Sequence, residues 1–199
     1  MKKIAFFDFD GTITTKDTLL EVIKYQKGEA SFYTGFLLNL PVLIGLKLKL
    51  VSNQAAKECM LKYFFKGMDF ESFQKSCDSF IDNQLPAIVR PAAIDEIKKL
   101  KAEGFEIVVV SASPSNWIKK WADANGLGLI ATKLQTVDNL LTGYIDGINN
   151  NKDEKAVRIK IEFDLSMYSE IYCYGDSGGD KAMLRLGTKA FYKPFRDSN

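Results

Sequence analysis

The sequence contains no histidine. That one absence removes imidazole-assisted serine and cysteine nucleophiles, histidine metal sites and histidine acid–base chemistry together. Any catalysis must run on carboxylates, lysines and hydroxyls. It also disposes of a decoy, because Gly175-Asp176-Ser177-Gly178-Gly179-Asp180 looks like the nucleophile loop of a trypsin-type protease but has no histidine to take the serine proton. Cysteine is scarce. Cys59, Cys77 and Cys173 are far apart and lack metal-ligand spacing, which suits buried, reduced thiols rather than a catalytic one. Excess charge is missing too: 27 Lys+Arg against 25 Asp+Glu leaves +2, which gives no reason to expect nucleic acid as partner. Met1-Lys2-Lys3 runs directly into an apolar strand with no room for a signal peptide, so the expected compartment is the cytoplasm.

With 199 residues and 46% hydrophobic content, the chain can bury one good core and has room for a second small domain. Short apolar stretches at 4–9, 106–110, 129–131 and 170–174 read as strands. Between and after them lie helical patterns: one opened by Pro91 and closed by Gly104, one over 114–125 stopped by Gly126, and one over 153–163. Strands alternating with helices predict an α/β fold, a parallel sheet with helices on both faces. Residues 17–87 break that rhythm, being helical in period and without a convincing strand. The first strand precedes this segment and the other strands follow it. It is therefore expected to be a helical insertion leaving the sheet's ligand-binding edge, with residues 1–16 and 88–199 forming the core and 17–87 a lid.

The apolar run at 36–46 is too short to span a bilayer. It reads as a buried helix bent at Pro41, or alternatively as an apolar surface that receives a lipid-like substrate.

Chemistry concentrates at strand ends. Phe6-Phe7-Asp8-Phe9-Asp10-Gly11 carries a buried strand straight into two carboxylates, which strand alternation would set on one side. Such a pair can hold a hard cation or divide the work of nucleophile and proton donor, while an Asp-Gly turn without chemistry is the plain alternative. Val110-Ser111-Ala112-Ser113 ends a second strand in hydroxyls. Ser111, with the adjacent backbone N–H groups, can bind a phosphoryl oxygen, whereas Ser113 before Pro114 reads as a helix cap. Lys155 sits near a helix start, where the helix dipole disfavours a cation and so hints at a ligand, with Lys152 as the competing lysine. Asp176 and Asp180, in a glycine-rich loop after another strand, complete a possible cation site; Asp180 can equally cap the following helix.

In order and spacing, these residues resemble the four motifs of the haloacid dehalogenase-like hydrolase superfamily, and the chain is similar to its phosphoserine-phosphatase-like branch, subfamily IB. The match covers the core; the segment 17–87 resembles that branch only in position and helical character. The resemblance implies a Rossmann-like core with an inserted helical cap and a Mg²⁺-dependent phosphatase acting on a small-molecule phosphate ester. Asp8 would be the nucleophile and Asp10 the general acid and then base. Mg²⁺ would lie on Asp8, Asp176 and the backbone carbonyl of Asp10, supported by Asp180. Ser111, Ala112 and Lys155 would hold the phosphoryl oxygens.

Asp17 falls where the phosphoserine-specific members carry a substrate-gripping acid, but no arginine occurs between Asp17 and Val89 to hold a carboxylate. Lys47, Lys49, Lys57, Lys62 and Lys66 are the available substitutes, without arginine's bidentate fork. A lipid phosphate, with peripheral membrane or lipid contact through the cap, therefore stays open beside a small metabolite. Transfer of the phosphoryl group to another alcohol and a non-catalytic binding role are the further alternatives.

Overall fold

Alternate residues of the first strand feed two separate cores. The computed structural model describes residues 2–196. Its strands β1 (Lys2–Phe7), β2 (Phe105–Pro114), β3 (Gly128–Thr132), β6 (Tyr168–Gly175) and β7 (Lys189–Tyr192) form one parallel sheet in the order β3-β2-β1-β6-β7. Ala5 and Phe7 face one core with Val109, Ala93 and Ile97, whereas Ile4 and Phe6 face the other with Val108, Ile159 and Met183. A strand buried on both faces reads as continuously apolar, as 4–7 does.

Helices α6 (Pro91–Ala102) and α7 (Lys119–Ala124) cover the first face, and α8 (Asp153–Glu162) and α9 (Lys181–Leu184) the second. Strand order reverses at β1: β2 and β3 lie on one side, β6 and β7 on the other. In open α/β sheets this is where ligands bind, beyond the carboxyl ends of the strands. Phe7 pairs with Val109 and with Tyr174, so β1 and β6 finish nearly level at that point while β2 runs on past them to Pro114.

Between β1 and β2 the chain forms α1 (Thr18–Leu38), α2 (Leu40–Lys47), α3 (Asn53–Phe65), α4 (Phe70–Asn83) and α5 (Leu85–Ile88). Its way out and its way back run side by side. Thr15 N–H donates to Ile88 O at 2.8 Å and Arg90 N–H to Ile13 O at 2.8 Å, with a bridge between Thr14 and Val89. Phe65, Phe73, Phe80 and Cys77 close the interior of this helical layer. All three cysteines are free thiols.

Several sequence expectations need correction. The first strand ends at Phe7 rather than Phe9, because a wide turn over Phe9–Ile13 begins immediately, with Thr14 N–H donating to Phe9 O at 2.9 Å. No helix starts at Pro114: β2 runs through that residue, a short turn follows, and α7 begins at Lys119. Residues 36–46 are not a buried helix bent at Pro41. The break falls at Asn39, where α1 and α2 meet at 60°, Pro41 opens α2, and much of the run is exposed. A hairpin of β4 (Leu134–Val137) and β5 (Leu140–Ile145) was not anticipated, nor was β7. Asp138 and Asn139, both at positive φ, form the hairpin's two-residue turn.

Candidate active site

Asp8 follows β1 directly, and its N–H donates to the Tyr174 carbonyl at 2.9 Å, tying the residue to β6 where the ladder ends. The side chain is buried. Its Oδ2 accepts from Thr12 Oγ1 at 3.0 Å and its Oδ1 from Lys155 Nζ at 2.5 Å. Lys155 comes from the first turn of α8, is itself buried, and also donates to Asp180 Oδ1 at 2.6 Å. One ammonium thus bridges two buried carboxylates. Each ion has given up its hydration, so the chain Asp8–Lys155–Asp180 holds only while all three charges are present.

Burial pushes Asp8 up to about 7, with the nearby Asp180 and Asp10 adding to that and Lys155 pulling the other way. For Lys155, burial alone would lower the pKa, but Asp8 and Asp180 outweigh it and raise it. Asp180 is held below the usual carboxylate range because Lys155 and the Ser177 donors overcome its burial. Burial and Asp180 raise Asp176, against Arg196.

Asp10 lies in the turn after β1, where Gly11 at φ +82° reverses the chain. A side chain on Gly11 would collide with the Asp176 carboxylate, so only glycine lets this turn sit so close to the loop after β6. The Asp10 carboxylate is caged by donors. Oδ1 accepts from Thr18 N–H at 2.7 Å and Thr18 Oγ1 at 2.6 Å; Oδ2 accepts from Ser113 Oγ at 2.6 Å and Ser111 Oγ at 3.4 Å. Three of these four partners are hydroxyls, which rotate to donate or accept, so the cage suits Asp10 with or without a proton.

A cavity of about 510 Å³ opens over these groups, lined among others by Asp8, Asp10, Asp17, Lys57, Asp176 and Asp180. Asp8, Asp176 and Asp180 each bring a carboxylate oxygen within 4.8 Å of the others. An all-oxygen, anionic donor set is what a hard divalent cation such as Mg²⁺ takes. The fit is good on charge as well: five carboxylates line the cavity, Asp10 and Asp17 among them, against the three ammonium groups of Lys57, Lys152 and Lys155.

The haloacid dehalogenase-like hydrolase family matches residues 5–185. The chain belongs to this family. It is 31% identical over 199 residues to protein CicA of Caulobacter vibrioides, covering 97% of this chain and 86% of that protein. A protein of unknown function from Bordetella pertussis Tohama I has a solved structure that superposes with a TM-score of 0.83 at 22% identity, over 96% of this chain and 89% of that one. A phosphoserine phosphatase, solved as a phospho-aspartyl intermediate analogue, superposes with a TM-score of 0.69 at 20% identity, over 94% and 85%. The fold is therefore that of the phosphoserine-phosphatase-like members of the haloacid dehalogenase-like family.

Within this family member, the structure gathers Asp8, Asp10, Ala112, Lys155, Asp17, Asp176 and Asp180 around one cavity. Ser111 is set differently. It is wholly buried behind the wall, its Oγ accepting from Ser113 N–H at 2.9 Å, and of the two β2 serines it is Ser113 that lines the cavity. Lys152 also lines the cavity but is exposed and has a strained φ of 57°, whereas Lys155 makes the buried carboxylate contacts.

Asp17 both lines the cavity and caps α1, accepting from Leu20 N–H at 3.3 Å. Of the five candidate lysines in the helical segment, Lys57 is the one lining this cavity, its Nζ donating to Ala112 O at 2.8 Å and Asn149 Oδ1 at 3.3 Å. Burial lowers its pKa, opposed by Asp10 and Asp17. Lys62 instead lies over the Tyr144 ring at 3.6 Å.

Thr12, Thr18 and Arg196 were not singled out in the sequence, and Ser113 was expected there only as a helix cap. Arg196 pairs with Asp176 Oδ2 at 2.8 Å across the cavity rim. Threonines and a serine beside carboxylates carried no distinguishing signal, because the same residues cap helices and turns everywhere.

Proposed function

We propose that this hydrolase cleaves phosphate monoesters through an aspartyl-phosphate on Asp8. The observation that carries the reading is the division of labour between the two aspartates. Asp8 is buried and bound to an ammonium; Asp10, two residues on, is caged by rotatable hydroxyls. Two carboxylates in such different surroundings suit a nucleophile and a proton shuttle.

In the first step Asp8 forms a bond to phosphorus as the ester P–O bond breaks, and the departing alkoxide takes a proton from Asp10. In the second, Asp10 takes a proton from water as the water oxygen bonds to phosphorus, releasing phosphate and restoring Asp8. Splitting the reaction makes each displacement easier. Lys155 offsets the repulsion between a carboxylate and a phosphate dianion, and Ser113 and the Ala112 backbone offer hydrogen bonds at the cavity wall. Asp8, Asp176 and Asp180 would hold Mg²⁺, which when bound supplies positive charge to the transferring group.

The helices from α1 to α5 act as the cap in this reading. Asp17 and Lys57 bring the cap to the cavity, and the paired strands of its neck give it two adjacent attachment points. Aryl phosphate hydrolysis with Mg²⁺ is the direct test. Free phosphate should appear in proportion to the phenol and should fall by about 10⁴-fold or more in Asp8→Asn. An active Asp8→Asn variant, or no phosphate release with any divalent metal, overturns the reading.

A further inference from the structure

The elbow between α1 and α2 exposes apolar side chains that globular helices normally bury. Leu37 is 67% exposed, Leu38 63%, Ile44 50%, Leu48 63% and Leu50 80%. In α2 only Gly45 is buried, although Leu40, Pro41, Val42, Leu43, Ile44 and Leu46 make the helix apolar on every side. A helix that is apolar all round requires an apolar medium on all sides, from the protein or from something else. The protein supplies one side only.

That side is itself hollow. Phe36, Leu43, Leu46 and Met60 line a second cavity of about 160 Å³. Its wall of Asp17, Leu19, Asn53 and Lys57 is shared with the larger cavity over Asp8. Phe36 belongs at once to this cavity and to the exposed face, so the second cavity adjoins the outer surface of the elbow on one side and the cavity over the carboxylates on the other.

Charge narrows the choice of medium. From Glu29 to Glu58 there is no acidic residue in between, while Lys47, Lys49 and Lys57 supply positive charge, Lys47 and Lys49 exposed beside the leucines. Apolar surface fringed by lysine alone matches an anionic lipid interface. The two helices do not form a span. Among the described residues no single helix is long and apolar enough to cross a membrane, and the α1 end of the bent pair is anchored in the protein: Thr18, Leu19, Val22 and Ile23 are buried.

We propose that the α1–α2 elbow seats on an anionic lipid surface and that the substrate is a phosphate monoester of a lipid, its acyl part lying along the apolar cavity and its phosphate over Asp8. The substrate half rests on the phosphatase reading above. Cleavage is the same two displacements, with the lipid alcohol leaving first and water supplying the oxygen that completes free phosphate.

The test uses the full chain with vesicles of phosphatidylcholine alone, or of equal parts phosphatidylcholine and phosphatidylglycerol, each doped with phosphatidic acid, and a soluble aryl phosphate as a parallel substrate. Sedimentation with the mixed vesicles is expected, weakening by about tenfold or more in Lys47→Glu/Lys49→Glu and at high salt. Leu37→Ser/Ile44→Ser should lose both vesicle binding and phosphatidic acid turnover while its aryl phosphate turnover, the control for folding, persists. Turnover of phosphatidic acid should exceed that of glycerol phosphate by about tenfold or more, since the acyl chain adds buried apolar contact.

Aryl phosphate turnover without vesicle binding or phosphatidic acid turnover overturns the proposal and leaves the phosphatase reading intact. A dimer that Leu37→Ser/Ile44→Ser returns to monomer, with vesicles ignored, also overturns it, because a second copy then covers the face. Vesicle binding with neither ester hydrolysed upholds the docking and overturns the phosphatase reading.

Discussion

The sheet edge and the helical layer above it solve opposite problems. At the edge, charged groups are buried or half-buried and matched: Lys155 by Asp8 and Asp180, Asp10 by Thr18, Ser111 and Ser113. In the layer above, apolar groups are exposed and unmatched, as at Leu37, Leu48 and Leu50. Each departs from the ordinary rule of charge outside and hydrocarbon inside. Stability is spent in the first region to place charge, and withheld in the second to leave surface open.

Four measurements sharpen that contrast, taken from the largest effect to the smallest. Changing Asp10→Asn should lower kcat by about 10²–10⁴, read on aryl phosphate, with the fold preserved because asparagine keeps the cage's hydrogen bonds. An equal loss of thermal stability would show that Asp10 serves structure instead. Next, Lys155→Ala should cost about 3–5 kcal/mol in urea denaturation by stranding two buried carboxylates. Lys152→Ala, at an exposed backbone-strained position, should stay within about 0.5 kcal/mol; the reverse order would assign the charge matching to the wrong lysine.

Third, cation affinity should depend on pH in one direction. Asp8 without a cation holds its proton up to about 7, so binding must displace that proton at lower pH. Affinity for Mg²⁺ by calorimetry should therefore fall about tenfold per pH unit below 7 and level off above it. A flat profile from pH 6 to 8 would mean that Asp8 is ionised throughout. Smallest of all, Leu48→Ser on the exposed elbow should change stability by no more than about 0.5 kcal/mol in the absence of lipid, against about 3–5 kcal/mol for Phe73→Ala in the interior of α4. A large cost for Leu48→Ser would show that the exposed leucine is structural.

The same contrast governs what could be read from the chain beforehand. Asp8, Asp10 and Asp176 were legible because charge just past an apolar strand is costly, Lys155 because a cation is disfavoured near a helix start, and Asp180 through the glycine-rich loop it shares with Asp176. Thr18, Ser113 and Thr12 were not, because a hydroxyl that braces a carboxylate is identical in sequence to one that caps a turn. Ser113 was read as a cap and Ser111 as the cavity hydroxyl, yet β2 continues to Pro114, and that extension is what turns Ser113 toward Asp10.

Lys57 could be placed only on a list of five lysines, since which of them meets the cavity depends on how α3 lies over β2. The elbow at 36–46 was visible as apolar, but composition cannot say whether hydrocarbon faces protein or the outside. The β4–β5 hairpin did carry a signal, Asp138-Asn139 between Val137 and Leu140, but one weaker than an Asn-Gly turn.

The central place of β1 has a consequence for how the molecule is made. Its neighbours in the sheet, β2 and β6, begin about a hundred and more than a hundred and sixty residues later, and the Asp8–Lys155 pair closes a separation of 147 residues. An emerging chain therefore carries its central strand unpaired through synthesis of the whole helical layer, with both edges open to wrong partners. Pairings this distant slow folding and lengthen exposure to aggregation. Chains interrupted before Lys155 would carry Asp8 without its countercharge as well as β1 unpaired along its β6 edge.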